Sequence, residues 1–185
     1  MGTRTGASST SPQKMTLGAG IIEIKATSGG SFVKIGATRG GATFTPGIPL
    51  RMREFDGSQG NTKGMVVKDK GNPVMTTTIL EISKTNLQQL IPGSQLVGDV
   101  ITSKGQIANT DYLYQVRWTG YRAGNATDTI SITLDNVLCT EPITLTASDN
   151  DEATIAVTLT GHFDLDAVET ADGYLPEPWS INSTL

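Results

Sequence analysis

His162 is the only imidazole in a chain of 185 residues. A Ser-His-Asp relay around it would need Asp164 or Asp166 against the ring and a hydroxyl held at hydrogen-bond distance on its other side. No local motif supplies that nucleophile, and Gly161-His162-Phe163 continues a strand pattern, so the expected role of His162 is structural and no catalytic residue is assigned. The run Gly57-Ser58-Gln59-Gly60-Asn61-Thr62-Lys63-Gly64 has the look of a phosphate loop. That motif needs Gly before its Lys and Ser or Thr after it, where this chain has Thr62 and Gly64, and it must open a helix. Asp149, Asp151 and Glu152 offer carboxylates to a hard cation, but the central Gly and later Glu of a calcium loop are missing. An acidic turn is the expected reading. Cys139 is the only cysteine, which rules out an internal disulfide, and one Cys with one His makes a common zinc set improbable. No cofactor or metal is expected. Tyr112, Tyr114 and Trp118 occupy one side of a strand, as a sugar-binding platform or as core.

With enzyme chemistry unsupported, composition carries more weight. The chain holds 27 Thr and 21 Gly, 17% charged and 37% apolar residues. Gly and Thr are poor in helix interiors, while Thr, Val and Ile suit pleated strands, so helix bundles and coiled coils are excluded. One domain is expected from the length. No stretch approaches the roughly 18 apolar residues of a membrane span. Residues 1–20 lack the apolar run of a signal peptide, so a soluble intracellular chain, or one carried in a particle assembled there, is expected. Charge is divided along the chain. Residues 1–122 hold all 14 Lys and Arg with 7 acids, and residues 123–185 hold 11 acids and no base, for a net charge of −4. Such a division suits head-to-tail contact between copies, unless strands of the two parts interleave and mix the charges. With an acidic total and no basic patch carrying aromatics, nucleic-acid binding is not expected.

The elements follow from periodicity. Residues 1–20, rich in Gly, Ser and Thr, are expected to be a flexible arm. Strands are expected over Ile21–Ala26, Phe32–Gly36, Ala42–Thr45, Ile48–Glu54, Met65–Lys68, Val74–Ile82, Tyr112–Thr119, Thr129–Asp135, Ile143–Thr146 and Thr154–Phe163. Ser83 stands at a helix N-cap, Leu87, Leu90 and Ile91 recur at helical spacing, and Pro92-Gly93 ends the run. The fold class is mainly β: an antiparallel β-sandwich or barrel over residues 21–163 with one short flanking helix. Residues 164–185, with Pro176 and Pro178 ahead of Trp179, are expected to form an extended C-terminal arm. Between the fourth and fifth strands lie Phe55, Asp56, Gly57, Ser58, Gln59, Gly60, Asn61, Thr62, Lys63 and Gly64, too long and too polar for a plain hairpin loop.

Gly36-Ala-Thr-Arg-Gly-Gly-Ala-Thr-Phe44-Thr-Pro, the basic strand with Arg51 and Arg53, Asp56-Gly57, Lys63-Gly64, and the Thr-rich strand running into Leu80-Glu81-Ile82-Ser83-Lys84-Thr85-Asn86-Leu87 stand in a telling order. In this order, over residues 20–95, the chain resembles the major tail tube proteins of long-tailed bacteriophages. The close, Gly161-His162-Phe163-Asp164 through Pro178-Trp179, is similar to the end of many of them; the N-terminal arm departs from the pattern. The resemblance implies a virion structural protein, not an enzyme, assembled as hexameric rings stacked into a hollow tube. DNA would pass through the lumen without specific binding, and tape-measure, terminator and tail-tip proteins would be partners. It further implies that Phe55 to Gly64 reach the adjacent ring, and that Pro176, Pro178 and Trp179 contact a neighbouring subunit. The alternatives are a monomeric β-sandwich that binds carbohydrate through the Tyr112, Tyr114, Trp118 stripe, and a tube subunit of a related injection apparatus.

Overall fold

The structure, a computed structural model, describes residues 20–57, 60–69, 71–81, 83–122, 125–148, 151–170 and 175–184. Residues 1–19 of the expected N-terminal arm, Ser58 and Gln59 of the long loop, and Asp149 of the acidic turn lie outside them.

The strands in chain order are Ile21–Lys25 (β1), Val33–Lys34 (β2), Thr38–Thr45 (β3), Leu50–Met52 (β4), Val66–Lys68 (β5) and Val74–Ile79 (β6). The helix Lys84–Leu90 (α1) follows, then Ser94–Val97 (β7), Val100–Ser103 (β8), Leu113–Arg122 (β9), Asn125–Cys139 (β10), Leu145–Ser148 (β11), Asp151–Gly161 (β12) and Trp179–Ser183 (β13). One antiparallel sheet of nine strands runs β2-β1-β9-β10-β12-β6-β3, with β11 added on β12 and β13 on β10. The sheet does not close on itself, so the barrel alternative is set aside.

Apolar residues at alternate positions explain how the two halves of this sheet enclose one core. In one half Ile24, Val116 and Leu134 lie side by side across β1, β9 and β10, with Trp179 next in the row. In the other, Phe44, Met75 and Leu159 form the matching row across β3, β6 and β12. All of these belong to a single cluster, where the Phe44 and Trp179 rings meet at 5.7 Å. Tight strand alternation requires rows like these, since a one-residue slip would turn each strand's apolar set to solvent.

β10 joins the halves by bending. Over Ile130–Leu134 its free edge takes β13, and over Val137–Cys139 it takes β12. Leu134 and Val137 are both buried although plain alternation would put them on opposite faces. The phase shift is made at Asn136, whose φ of 49° is in the left-handed region that Asn enters more readily than most residues. His162 holds this corner: its Nδ1 lies 3.0 Å from the Asn136 carbonyl, and its own carbonyl accepts from Asn136 Nδ2.

The helix matches its sequence signals. Ser83 Oγ accepts from the Asn86 N–H at 3.1 Å, and Leu90 is buried in the core. The sequence reading assigns no strand between Pro92 and Tyr112, yet β7 and β8 form a hairpin there. Gly98, with φ of 63°, opens its two-residue turn, the position where such turns need positive φ.

Cys139 ends β10 inside the core, and burial pushes its thiol pKa up. Little thiolate is then available near neutral pH, and the folded protein should resist maleimide or disulfide exchange reagents. Labelling is expected to follow unfolding, so its rate should rise steeply through the denaturant midpoint. Rapid labelling of the native protein would show the strand end to be open.

Candidate assembly site

β4 and β5 stand apart from the main sheet and pair only with each other, in the register Leu50↔Lys68, Arg51↔Val67 and Met52↔Val66. Hydrogen bonds from Arg53 N to Met65 O and from Asp69 N to Pro49 O extend the ladder at both ends. The result is a two-stranded arm that continues β3 and β6 beyond the sandwich. Its root is narrow. A Cβ on Gly47 would meet the Asn72 carbonyl oxygen at 2.1 Å, and one on Gly71 would meet the Gly47 oxygen at 1.6 Å, so only glycine lets the two chains cross there. Two ion pairs tie the arm down, Arg51 to Asp69 within it and Lys68 to Glu177 on the C-terminal segment.

The crown of the arm is the loop singled out in the sequence. Phe55, Asp56, Gly57, Gly60, Asn61, Thr62, Lys63 and Gly64 are all exposed. Gly57, Gly60 and Gly64 take φ of 88°, 119° and 90°, and the Met65 N–H bonds to the Thr62 carbonyl, which shapes the turn back into β5. Along the arm Leu50 is 70% exposed, Phe55 51% and Val66 49%. A lone two-stranded hairpin is marginal in water, and these side chains add apolar surface that its own subunit leaves uncovered.

Pro178 and Trp179 lie against the body of the same chain. Pro176 is exposed and Pro178 is buried, with its carbonyl accepting from the Asp135 N–H at 2.9 Å. Trp179 begins β13, opposite Leu134, and packs against the core. The sequence reading missed this strand because Trp179 follows two prolines and β13 is only five residues long. The signal present was the apolar spacing of Trp179 and Ile181.

His162, Glu152 and the three aromatic residues weighed for chemistry have structural partners. His162 packs edge-on against Tyr112 at 5.2 Å. Glu152 pairs with Arg39. Trp118 packs against the core, beneath Gly20 and Gly120, and Tyr114 lies under the Lys25 ammonium. Arg117 binds Glu23 at 2.6 Å and covers the Phe32 ring.

No family model and no curated protein matches the chain. Among solved structures it is similar to a chain of an extracellular contractile injection system, the PVC sheath-tube complex in its extended state determined by cryo-EM. Identity is 13% and the TM-score 0.49, over 97% of this chain and all of the other.

Proposed function

We propose that the chain is a structural subunit that assembles as hexameric rings stacked into the hollow tail tube of a long-tailed phage, through which DNA passes. The observation that carries this reading is the β4–β5 arm: a narrow-rooted hairpin with exposed Leu50, Phe55 and Val66, tied to the rest of its own subunit, among the described residues, by the surface ion pair of Lys68 with Glu177. Such an arm is a poor investment for a monomer, and it occupies the place that the resemblance to tail tube proteins gives to the inter-ring contact. A tube subunit of an injection apparatus related to phage tails would use the same arm in the same way. Particle partners such as tape-measure, terminator and tip proteins belong to either version.

Passage of DNA without retention also has support. In this reading the solvent side of the β3-β6-β12 half lines the bore, and it carries Thr43, Thr76 and Thr158 in one cross-strand row. Hydroxyls offer phosphate no counterion-releasing cation, and Arg39, in register with Thr78, is held by Glu152.

Electron microscopy of the purified protein at high concentration, with the tape-measure and tip partners supplied, tests the proposal. Rings or hollow tubes are expected. Protein that stays monomeric under those conditions overturns it.

A further inference from the structure

We infer that neighbouring copies join head to tail, with the segment Asp164–Glu169 of one copy seated in a hollow between β2 and α1 of the next. This rests on the reading that the chain assembles with itself. The hollow, about 190 Å³, is lined by residues that include Ile24, Val33, Lys34, Ile35, Thr85 and Gln89. No carboxylate lines it. Val33, 66% exposed, is apolar surface at the rim, and Lys34 beside it is exposed without an ion pair among the described residues. β2 is also the end strand of the nine-stranded sheet, so among the described residues its outer edge is unpaired backbone that a neighbour can cover.

The segment Asp164–Glu169 is the complementary shape and sign. Leu165 and Val168 are 87% and 88% exposed, the most exposed large apolar side chains among the described residues. Around them Asp164, Asp166 and Glu169 are exposed carboxylates with no cation paired to them among the described residues. Two apolar knobs flanked by acids call for an apolar hollow with a basic rim. In a homo-oligomer that rim must come from residues 1–122, because no Lys or Arg follows them. Lys34 meets the requirement: no carboxylate lines the hollow, and Glu23, opposite Lys34 across β1 and β2, is held by Arg117. The two surfaces are different patches of the same chain, so the contact is heterologous and generates a ring when its rotation closes. Charge complementarity of this kind fixes partner and register more than it adds affinity.

The test uses two full-length variants. One carries Val33→Glu and Lys34→Glu; the other carries Asp166→Lys and Glu169→Lys. All four positions are exposed, and unchanged melting temperatures check that both variants fold. Alone, each places like charges at the contact and should need at least a roughly tenfold higher concentration than the parent to assemble, read by sedimentation velocity. Mixed in equal amounts, the acidic rim of the first meets the basic segment of the second, and the parent pairing is kept at the other junction. The mixture should therefore assemble within about threefold of the parent concentration. A mixture no better than either variant alone, or single variants that assemble like the parent, overturns this pairing while leaving the tube proposal standing. A parent that never assembles overturns both.

Discussion

Replacing residues 57–62 by a two-residue turn is expected to leave the subunit as stable as the parent and to abolish stacking of rings. The loop gives its own subunit little: every described residue in it is exposed, and the ties among those residues are the Thr62–Gly60 and Met65–Thr62 hydrogen bonds. Loop-closure entropy changes by only about 0.6 kcal/mol for each doubling of length, so a shorter turn shifts stability little in either direction. Asp56 and the two new residues then close a three-residue loop between Phe55 and Lys63, which preserves the β4–β5 register and leaves Leu50, Met52 and Val66 in place. What disappears is the reach of the arm. An inter-ring contact built on a few exposed side chains loses about 2 kcal/mol or more when its central residues go, which corresponds to a roughly thirtyfold rise in the concentration needed for stacking. Sedimentation and micrographs of the variant should therefore show rings or small oligomers where the parent gives tubes. If the shortened protein forms tubes as readily as the parent, the loop is a surface excursion and the contact assigned to the arm is wrong.

How far the fold could be read beforehand depended on how local its determinants are. α1 was legible because its signals are contiguous: an N-cap at Ser83, apolar residues at helical spacing and a Pro92-Gly93 stop, and the cap bond is made as the spacing requires. β6 and β12 were legible because Met75, Thr77 and Ile79, and Ile155, Val157 and Leu159, alternate cleanly into the core. β10 was legible only in part. Its alternation breaks at Asn136, and the break depends on His162 and Pro178, residues distant in sequence that hold the bend through the backbone of Asp135 and Asn136. The β7–β8 hairpin escaped because Val97 and Val100 face solvent, so no buried alternation marks it. The arm was visible as a long polar loop without a purpose, but its separation from the main sheet is a property of Gly47 and Gly71 in contact, which no single stretch of sequence displays.

The C-terminal strand leads to the second large effect. Trp179→Ala is expected to destabilise the isolated subunit as well as any assembly, because Trp179 is part of its own subunit's core. The ring meets Phe44 from the opposite half of the sheet at 5.7 Å, so it spans the core that β10 brings together. Its backbone is in β13, paired to Leu134, and the preceding Pro178 carbonyl caps the Asp135 N–H at the corner. Truncating a core Trp costs roughly 3–5 kcal/mol where burial is complete; Trp179 is half-buried, so about 3 kcal/mol is expected. For a chain of this size that lowers the melting temperature by roughly 10 °C. The loss should appear in dilute, monomeric protein, with β13 released and the β10 edge exposed over Ile130–Leu134. Phe44→Leu, which removes the ring contact and keeps apolar volume, should cost less than half as much. Thermal melts of monomeric parent and variants decide the matter. If Trp179→Ala melts within about 2 °C of the parent while assembly is lost, the ring does its work on a neighbouring subunit, and the strand Trp179–Ser183 is held by the tube rather than by its own sheet.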